Sequence, residues 1–310
     1  MTCVFVTPMS ERGLPYRSIG RMATVAQWVE GARPRTLPNA IAPVLVGSGA
    51  AAEIGGFVWW QAGLTLVMTI ALIIGVNFAN DYSDGIRGTD EHRVGPLRLV
   101  GSGIVRPVVV RNAAFAALTV AGLTGLLLVT ATGRWWLLVA GGMSIVAAWY
   151  YTGGKRPYGY AGLGEIAVFV FFGLVAVLGT TYLQAGTVTA TALGCAVAVG
   201  AFSSAVLVAN NLRDIPTDAQ TGKRTLAVML GEARTRRLYR VLVITPFVVS
   251  VVLAVARIPL AAGLLALPPA VLSARRVSSG AAGLSLVPVL RDTGIAMLLW
   301  AVLTGVALAV

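Results

Sequence analysis

The sequence predicts an all-α polytopic membrane protein of nine transmembrane helices around a central cavity. Three observations predict it. The 310 residues are 57% hydrophobic and only 12% charged, with a mean hydropathy of +0.81, whereas a soluble domain carries roughly twice that charged fraction. The apolar residues are gathered into long runs, most near the ~20 residues that cross a bilayer. The basic residues fall in alternate connections between those runs, as the positive-inside rule requires.

Residues 1–21 contain arginines and prolines but no apolar stretch of signal-peptide length, so no cleaved export signal is expected. Residues 1–23 read as a poorly ordered extension and 24–310 as one transmembrane domain. The stretch WVEGARPRTLPNAIAPVLVGSGAAA is an amphipathic approach, with Arg33 and Arg35 near the interface, leading into the first span. Further runs follow at 57–84, 107–132, 135–152, 162–183, 188–212, 238–256, 258–274 and 292–310, the eighth span being short and carrying Pro259, Pro268 and Pro269.

Charge gives an independent check on that count. Arg87, Arg93, Arg98, Arg106 and Arg111 flank the second connection, Lys155 and Arg156 the fourth, seven residues from Arg213 to Arg240 the sixth, and Arg275, Arg276 and Arg291 the eighth. The odd-numbered connections hold only Arg134 and Arg257. With five N-terminal arginines, 22 of the 24 basic residues lie on one side. A multi-pass protein of the cell membrane with its N-terminus in the cytoplasm and its C-terminus outside is expected. The net charge of +12 is then a matter of topology and of the anion bound, and no nucleic-acid partner is expected, for there is no basic domain. Cys3 and Cys195 lie in different settings and suggest neither a disulfide nor a thiolate metal site.

The acids are concentrated. Of twelve, Asp81, Asp84, Asp90, Glu91, Asp214 and Asp218 occupy two short segments, NFANDYSDGIRGTDE at the end of the second span and NNLRDIPTD at the end of the sixth. Asn77, Asn80, Asp81 and Asp84 recur at i, i+3, i+4 and i+7 and share one helical face, with Gly85 expected to end the pattern. Asn210, Asp214 and Asp218 are spaced by four. Pro216 is expected to open or kink its helix, because it lacks a donor and its ring crowds the carbonyl of Leu212. Gly85 and Gly88 allow a similar exit, with Asp90 in a loop that folds back. Solvated helix caps would explain either cluster singly, but the pair suggests a shared ligand.

Such hard oxygen donors suit Mg²⁺, which is usually held by one or two carboxylates plus substrate phosphates. Two clusters facing each other across a cavity open to the cytoplasm and laterally to lipid would hold two ions with a diphosphate between them. Lys155, Arg156, Arg93, Lys223 and Arg224 stand in the same loops and suit its phosphate oxygens. Ionisation of an allylic diphosphate fits that arrangement, with metals and cations stabilising the departing pyrophosphate and apolar helices shielding the allylic cation from water. The sequence offers no Cys/His/Asp set for covalent or acid–base catalysis.

The paired NDYSDGIRGTD and NNLRDIPTD segments resemble the two aspartate-rich signatures of the UbiA superfamily of intramembrane aromatic prenyltransferases, and YYTGGKRPYGYAGLGE resembles its Tyr-x-x-x-Lys element, as Tyr151 and Lys155. The likeness covers residues 24–310. The six residues from Asp84 to Asp90, with RVGPLRLVGSG and TGKRTLAV, are similar to the menaquinone branch, whose members prenylate 1,4-dihydroxy-2-naphthoate. The resemblance implies a Mg²⁺-dependent, decarboxylative reaction of that acceptor with a polyprenyl diphosphate, giving demethylmenaquinone, CO₂ and pyrophosphate. It implies a first metal at Asn80, Asp84 and Asp90 with Asp81 beside them, and a second at Asn210, Asp214 and Asp218. Lys155 would hold the diphosphate, with Arg93 and Lys223 as further contacts, and Tyr151 would lie near the allylic carbon. Tyr158, Tyr160 and Glu165 read at least as well as interface anchors and loop structure as they do as site residues. The alternatives are another acceptor, 4-hydroxybenzoate or a sugar phosphate, and a cation-coupled transporter, which predicts acids at mid-membrane rather than at span ends.

Overall fold

The computed structural model describes residues 23–88 and 97–310. The expected N-terminal extension, apart from Ala23, lies outside them. Among the described residues every regular element is helical.

Helix α1 (Val25–Ala32) opens with a capping box in which the Thr24 hydroxyl accepts from the Gln27 amide and the Gln27 side chain accepts from the Thr24 amide. It ends at Arg33, whose φ of 57° is left-handed and turns the chain through a short 3₁₀ turn into α2 (Pro38–Glu53). The connection is held from below. Asn77 donates to the Ala32 carbonyl at 2.9 Å and to the Thr36 hydroxyl at 2.8 Å.

Seven described helices are long and apolar enough to cross a membrane: α3 (Trp59–Ile86), α4 (Pro107–Thr132), α6 (Gly164–Ala185), α7 (Ala190–Gln220), α8 (Leu226–Ala256), α9 (Ile258–Ser278) and α10 (Gly283–Ala309). The other two expected spans are shorter helices. α2 has 16 residues and α5 (Leu137–Tyr150) has 14, or about 24 and 21 Å at 1.5 Å per residue, against a hydrocarbon core of about 30 Å.

The bundle is built around α7, which packs against α2, α6, α8 and α10 and buries Ala196, Val199, Phe202 and Ala205 against neighbours that include Trp300 and Met297. Lipid is as apolar as these side chains, so the helices associate through close packing of small residues. A β-carbon on Gly173 of α6 would stand 2.6 Å from Gly200 Cα of α7, and one on Gly49 of α2 would stand 2.5 Å from the Gly305 carbonyl oxygen of α10. The obstructing atoms at the latter contact are backbone, so they cannot swing aside. Gly49→Ala is expected to cost about 1–3 kcal/mol through overpacking and to lower the melting temperature in detergent. Gly63→Ala, at an exposed site with nothing within 4 Å, should leave it unchanged or raise it. A Gly49→Ala protein that melts with the wild type would overturn this account of the contact.

Two local expectations are corrected. Gly85 does not end α3, which continues to Ile86. Its lack of a side chain instead admits the returning segment, since a β-carbon there would lie 2.3 Å from Val100 Cγ1. Pro216 does not open α7, which runs on to Gln220. Proline removes one donor, and here it falls in the penultimate turn, where the Thr217 hydroxyl donates to the Asp214 carbonyl at 3.0 Å and the Thr221 amide to the Thr217 carbonyl at 3.0 Å. The remaining bonds carry the helix past it. In α6 the stretch Phe169–Leu178 is π-helical, a widened turn that often accompanies function.

Candidate active site

The C-terminal ends of α3 and α7 open on one cavity of about 580 Å³. Asn77, Asn80 and Asp84 line it from α3, and Asn210, Asp214 and Asp218 from α7. The rest of the wall is largely apolar, with Leu72 and Val76 of α3, Leu126 and Val129 of α4, Ile145 of α5, and Phe171, Phe172 and Val175 from the π-helical stretch of α6. Asp84 and Asp214 therefore face a common space, polar at one end and greasy along its length.

Asp84 is 3% exposed and Asp214 5%, and carboxylates so far from water need partners. Asp84 accepts from the Tyr160 hydroxyl and lies 3.6 Å from both Lys223 Nζ and Arg98. Lys223 also stands 4.7 Å above the Tyr160 ring and Arg87 5.5 Å from it, within cation–π range. Asp214 is gripped by its neighbour Arg213 through two bonds of 2.7 and 2.8 Å, and the same guanidinium donates to Asn210 Oδ1 at 2.9 Å. Asn80 is oriented through its Oδ1, which accepts from the Thr152 hydroxyl at 2.7 Å.

Local sequence explains how the loops deliver these groups. After α7, Gly222 adopts φ 76°, as glycine does beyond a helix C-terminus, and Lys223 turns back so that its amide donates to the Asp218 carbonyl. Arg224 then donates its amide to the Tyr160 carbonyl at 3.1 Å, tying the TGKR turn to the YGY turn. Arg87 donates to the carbonyls of Thr152 and Gly154 and joins the end of α3 to the loop after α5. Tyr151 lines the cavity beside this loop. Burial pushes the phenol of Tyr158, in the same loop, up to about 12. A phenol ordinarily ionises only near pH ~10, so both tyrosines are neutral hydroxyls at neutral pH.

The structure thus brings together Asn80, Asp84, Tyr151, Asn210, Asp214, Asp218 and Lys223. It places Asp81 and Lys155 elsewhere. Asp81 is turned toward the segment after α3, where its two oxygens accept from the backbone amides of Leu99 at 2.7 Å and Val100 at 3.0 Å, and Lys155 stands on the exposed loop outside the cavity lining. Asp90 and Arg93 lie outside the described residues. Among the described residues no three His, Cys, Asp or Glu side chains converge as a ready-made metal cluster. Sequence reading counted Arg98 and Arg213 only as loop charge, left Tyr160 open between anchor and site, and did not single out Thr152. Arg213 adjoins Asp214, and Tyr160 lies in the YTGGKRPYGY motif, but nothing in their spacing assigns them partners.

Comparison with known proteins gives concordant results. The family model described as "UbiA prenyltransferase family" matches residues 40–282. A Mycobacterium tuberculosis protein named 1,4-dihydroxy-2-naphthoate octaprenyltransferase is 58% identical over 288 residues, covering 93% of this chain and 98% of that protein. A protein of the same name from Escherichia coli is 43% identical over 223 residues, covering 68% and 70%. Among solved structures, a UbiA homologue from Archaeoglobus fulgidus bound to GPP and Mg²⁺ superposes with a TM-score of 0.68 at 15% identity, covering 92% of this chain and 100% of that one. The same protein bound to DMAPP and Mg²⁺ gives 0.66 at 16% identity, covering 91% and 99%.

Proposed function

The chain belongs to the UbiA prenyltransferase family, and from that premise we propose that it transfers a polyprenyl group from polyprenyl diphosphate to 1,4-dihydroxy-2-naphthoate, releasing CO₂ and pyrophosphate and giving the quinol form of demethylmenaquinone, which becomes the quinone only on later oxidation. The observation that carries this reading is the single cavity shared by two oxygen-rich helix ends and an apolar channel wall. Its polar end suits a diphosphate and its wall a polyprenyl tail. The names of the bacterial relatives supply the acceptor.

The donor set fits Mg²⁺. Asp84 with Asn80 on one side, and Asp214 and Asp218 with Asn210 on the other, are hard oxygen ligands, few enough that phosphate oxygens and water would complete each shell. Asp90 would add to the first set. When bound, Mg²⁺ would neutralise charge developing on the departing pyrophosphate. Lys223 and Arg98, which balance Asp84 here, stand where they would also donate to phosphate oxygens. Arg213 positions Asp214 and Asn210 as one unit.

In the reaction the C1–O bond of the allylic diphosphate breaks and its electron pair leaves with pyrophosphate. The neutral Tyr151 phenol presents a polarisable ring to the allylic cation without trapping it as an ether. The apolar walls exclude the water that would quench the cation. The electron-rich naphthoate ring attacks C1, its carboxylate departs as CO₂, and the electrons of that carbon–carbon bond restore the ring. Lys155, exposed here, would reach phosphate only by a movement of its loop.

The carboxylates stand at helix ends beside cations, and no observation favours a transport pathway. The protein spans the membrane several times; we place it in the cell membrane with the N-terminus and the site on the cytoplasmic side. The test is the purified protein with Mg²⁺, one polyprenyl diphosphate, and either dihydroxynaphthoate or 4-hydroxybenzoate, with products identified by mass. Demethylmenaquinol, or the quinone it gives on oxidation in air, is expected from the naphthoate alone. Prenylated 4-hydroxybenzoate with none from naphthoate would sink the acceptor assignment.

A further inference from the structure

Beyond the carboxylate end, the cavity has a second polar corner made by the α1–α2 connection and α3. Arg33, Thr36 and Asn39 line it together with Asn77. Two of its atoms are buried without a hydrogen-bond partner among the described residues: Arg33 Nη2, a donor, and Asn39 Oδ1, an acceptor. Asn39 is 7% exposed. Each orphan costs free energy comparable to a lost hydrogen bond, more for the charged one.

The corner is built rigidly around those orphans. Asn77 clamps the connection through Ala32 and Thr36, the Thr36 hydroxyl donates to the Arg33 carbonyl at 2.9 Å, and the Asn39 amide nitrogen donates to the Thr36 carbonyl at 3.2 Å, which fixes the side chain with its oxygen unpartnered among the described residues. Arg33 is also the only described non-glycine residue with a positive φ, a conformation that costs about 1–3 kcal/mol and persists where surrounding structure enforces it. Along α3, Asn77 precedes Asn80 by three residues and Asp84 by seven, about 4.5 and 10.5 Å of helix rise. The corner therefore lies one to two turns from the proposed diphosphate site, near enough for a ring bound there to meet C1 of the donor.

We propose that this corner seats the acceptor: Arg33 pairs with the ring's carboxylate and Asn39 Oδ1 accepts from the adjacent hydroxyl. The proposal rests on the reading of the acceptor as a hydroxynaphthoate. An aromatic ring carrying a carboxylate beside a hydroxyl offers one acceptor group and one donor group in fixed relation, the complement of the two orphans. A site built to bond both rejects analogues lacking either, because the protein group is then left buried and unpaired.

The test is competition by three dead-end probes against dihydroxynaphthoate turnover, repeated as direct calorimetric binding: 1-hydroxy-2-naphthoate, 2-naphthoate without the hydroxyl, and 1-naphthol without the carboxylate. Wild type is expected to prefer the first over 1-naphthol by about 10–100-fold and over 2-naphthoate by about 3–10-fold, from charged and neutral hydrogen bonds respectively. Arg33→Asn, chosen because asparagine tolerates the left-handed conformation, should abolish the preference over 1-naphthol alone. Asn39→Leu should abolish that over 2-naphthoate alone. KM for the polyprenyl diphosphate should stay within twofold in both. Unchanged preferences in folded variants, or a raised KM for the diphosphate with acceptor preferences intact, would overturn the proposal. Should either variant not fold, Arg33→Lys and Asn39→Asp replace it, with a weakened carboxylate preference and rejection of the carboxylated probes expected. If wild type binds the probes in this order by calorimetry but does not prenylate dihydroxynaphthoate, the reaction assignment fails and the seat stands. If it binds none of the probes, the seat fails by itself.

Discussion

Replacing Asp84 or Asp214 by alanine is expected to lower kcat by at least about 10³-fold, or ~4 kcal/mol of transition-state stabilisation, while the protein still inserts and folds. Both carboxylates are buried on one cavity, so no solvent-exposed acid replaces them as ligands. Stability and activity need separate readouts here. Asp84→Ala leaves Lys223 and Arg98 facing each other across the gap, and Asp214→Ala releases Arg213, each at some cost in melting temperature. Asp84→Asn and Asp214→Asn keep the shape and hydrogen-bonding size while removing the charge, and should lose activity nearly as fully with less loss of stability. Full turnover by any folded member of this set would refute the assignment.

Removing the metal is expected to have an effect as large. Excess EDTA should silence the purified enzyme and added Mg²⁺ should restore it, since no thiolate or imidazole set is present among the described residues to substitute. With metal gone, Lys223, Arg98 and Arg213 already neutralise the carboxylates, so the fold should survive chelation with little change in melting temperature. Turnover that persists in chelator would mean that these cations carry the pyrophosphate charge unaided.

Much of this was legible from one dimension. The concentration of half the acids in two segments marked both halves of the candidate site, and the long apolar runs marked a chain that crosses a membrane several times. Lys155 and Lys223 show where the reading ran out. Both are loop lysines beside glycines in basic motifs, and the resemblance favours Lys155 for the diphosphate. Yet Gly222 turns Lys223 onto Asp84 while Lys155 stays at the surface. Asp81 shows the same limit on a helix. Its spacing sets it on the face of Asn77, Asn80 and Asp84, but it stands at the edge of that stripe, and the backbone amides of Leu99 and Val100 claim it.

By itself, then, the order of residues determined that this is a membrane-embedded helical protein and which helix ends carry oxygen-rich chemistry, because bilayer thickness and helical period act on contiguous residues. Only the tertiary structure decided which of those side chains meet in one cavity, which cations balance them, and that Arg33 Nη2 and Asn39 Oδ1 are buried without a partner among the described residues. Those outcomes depend on how segments more than 100 residues apart approach one another, as those of Asp84 and Lys223 do, and on which atoms that approach closes off from water.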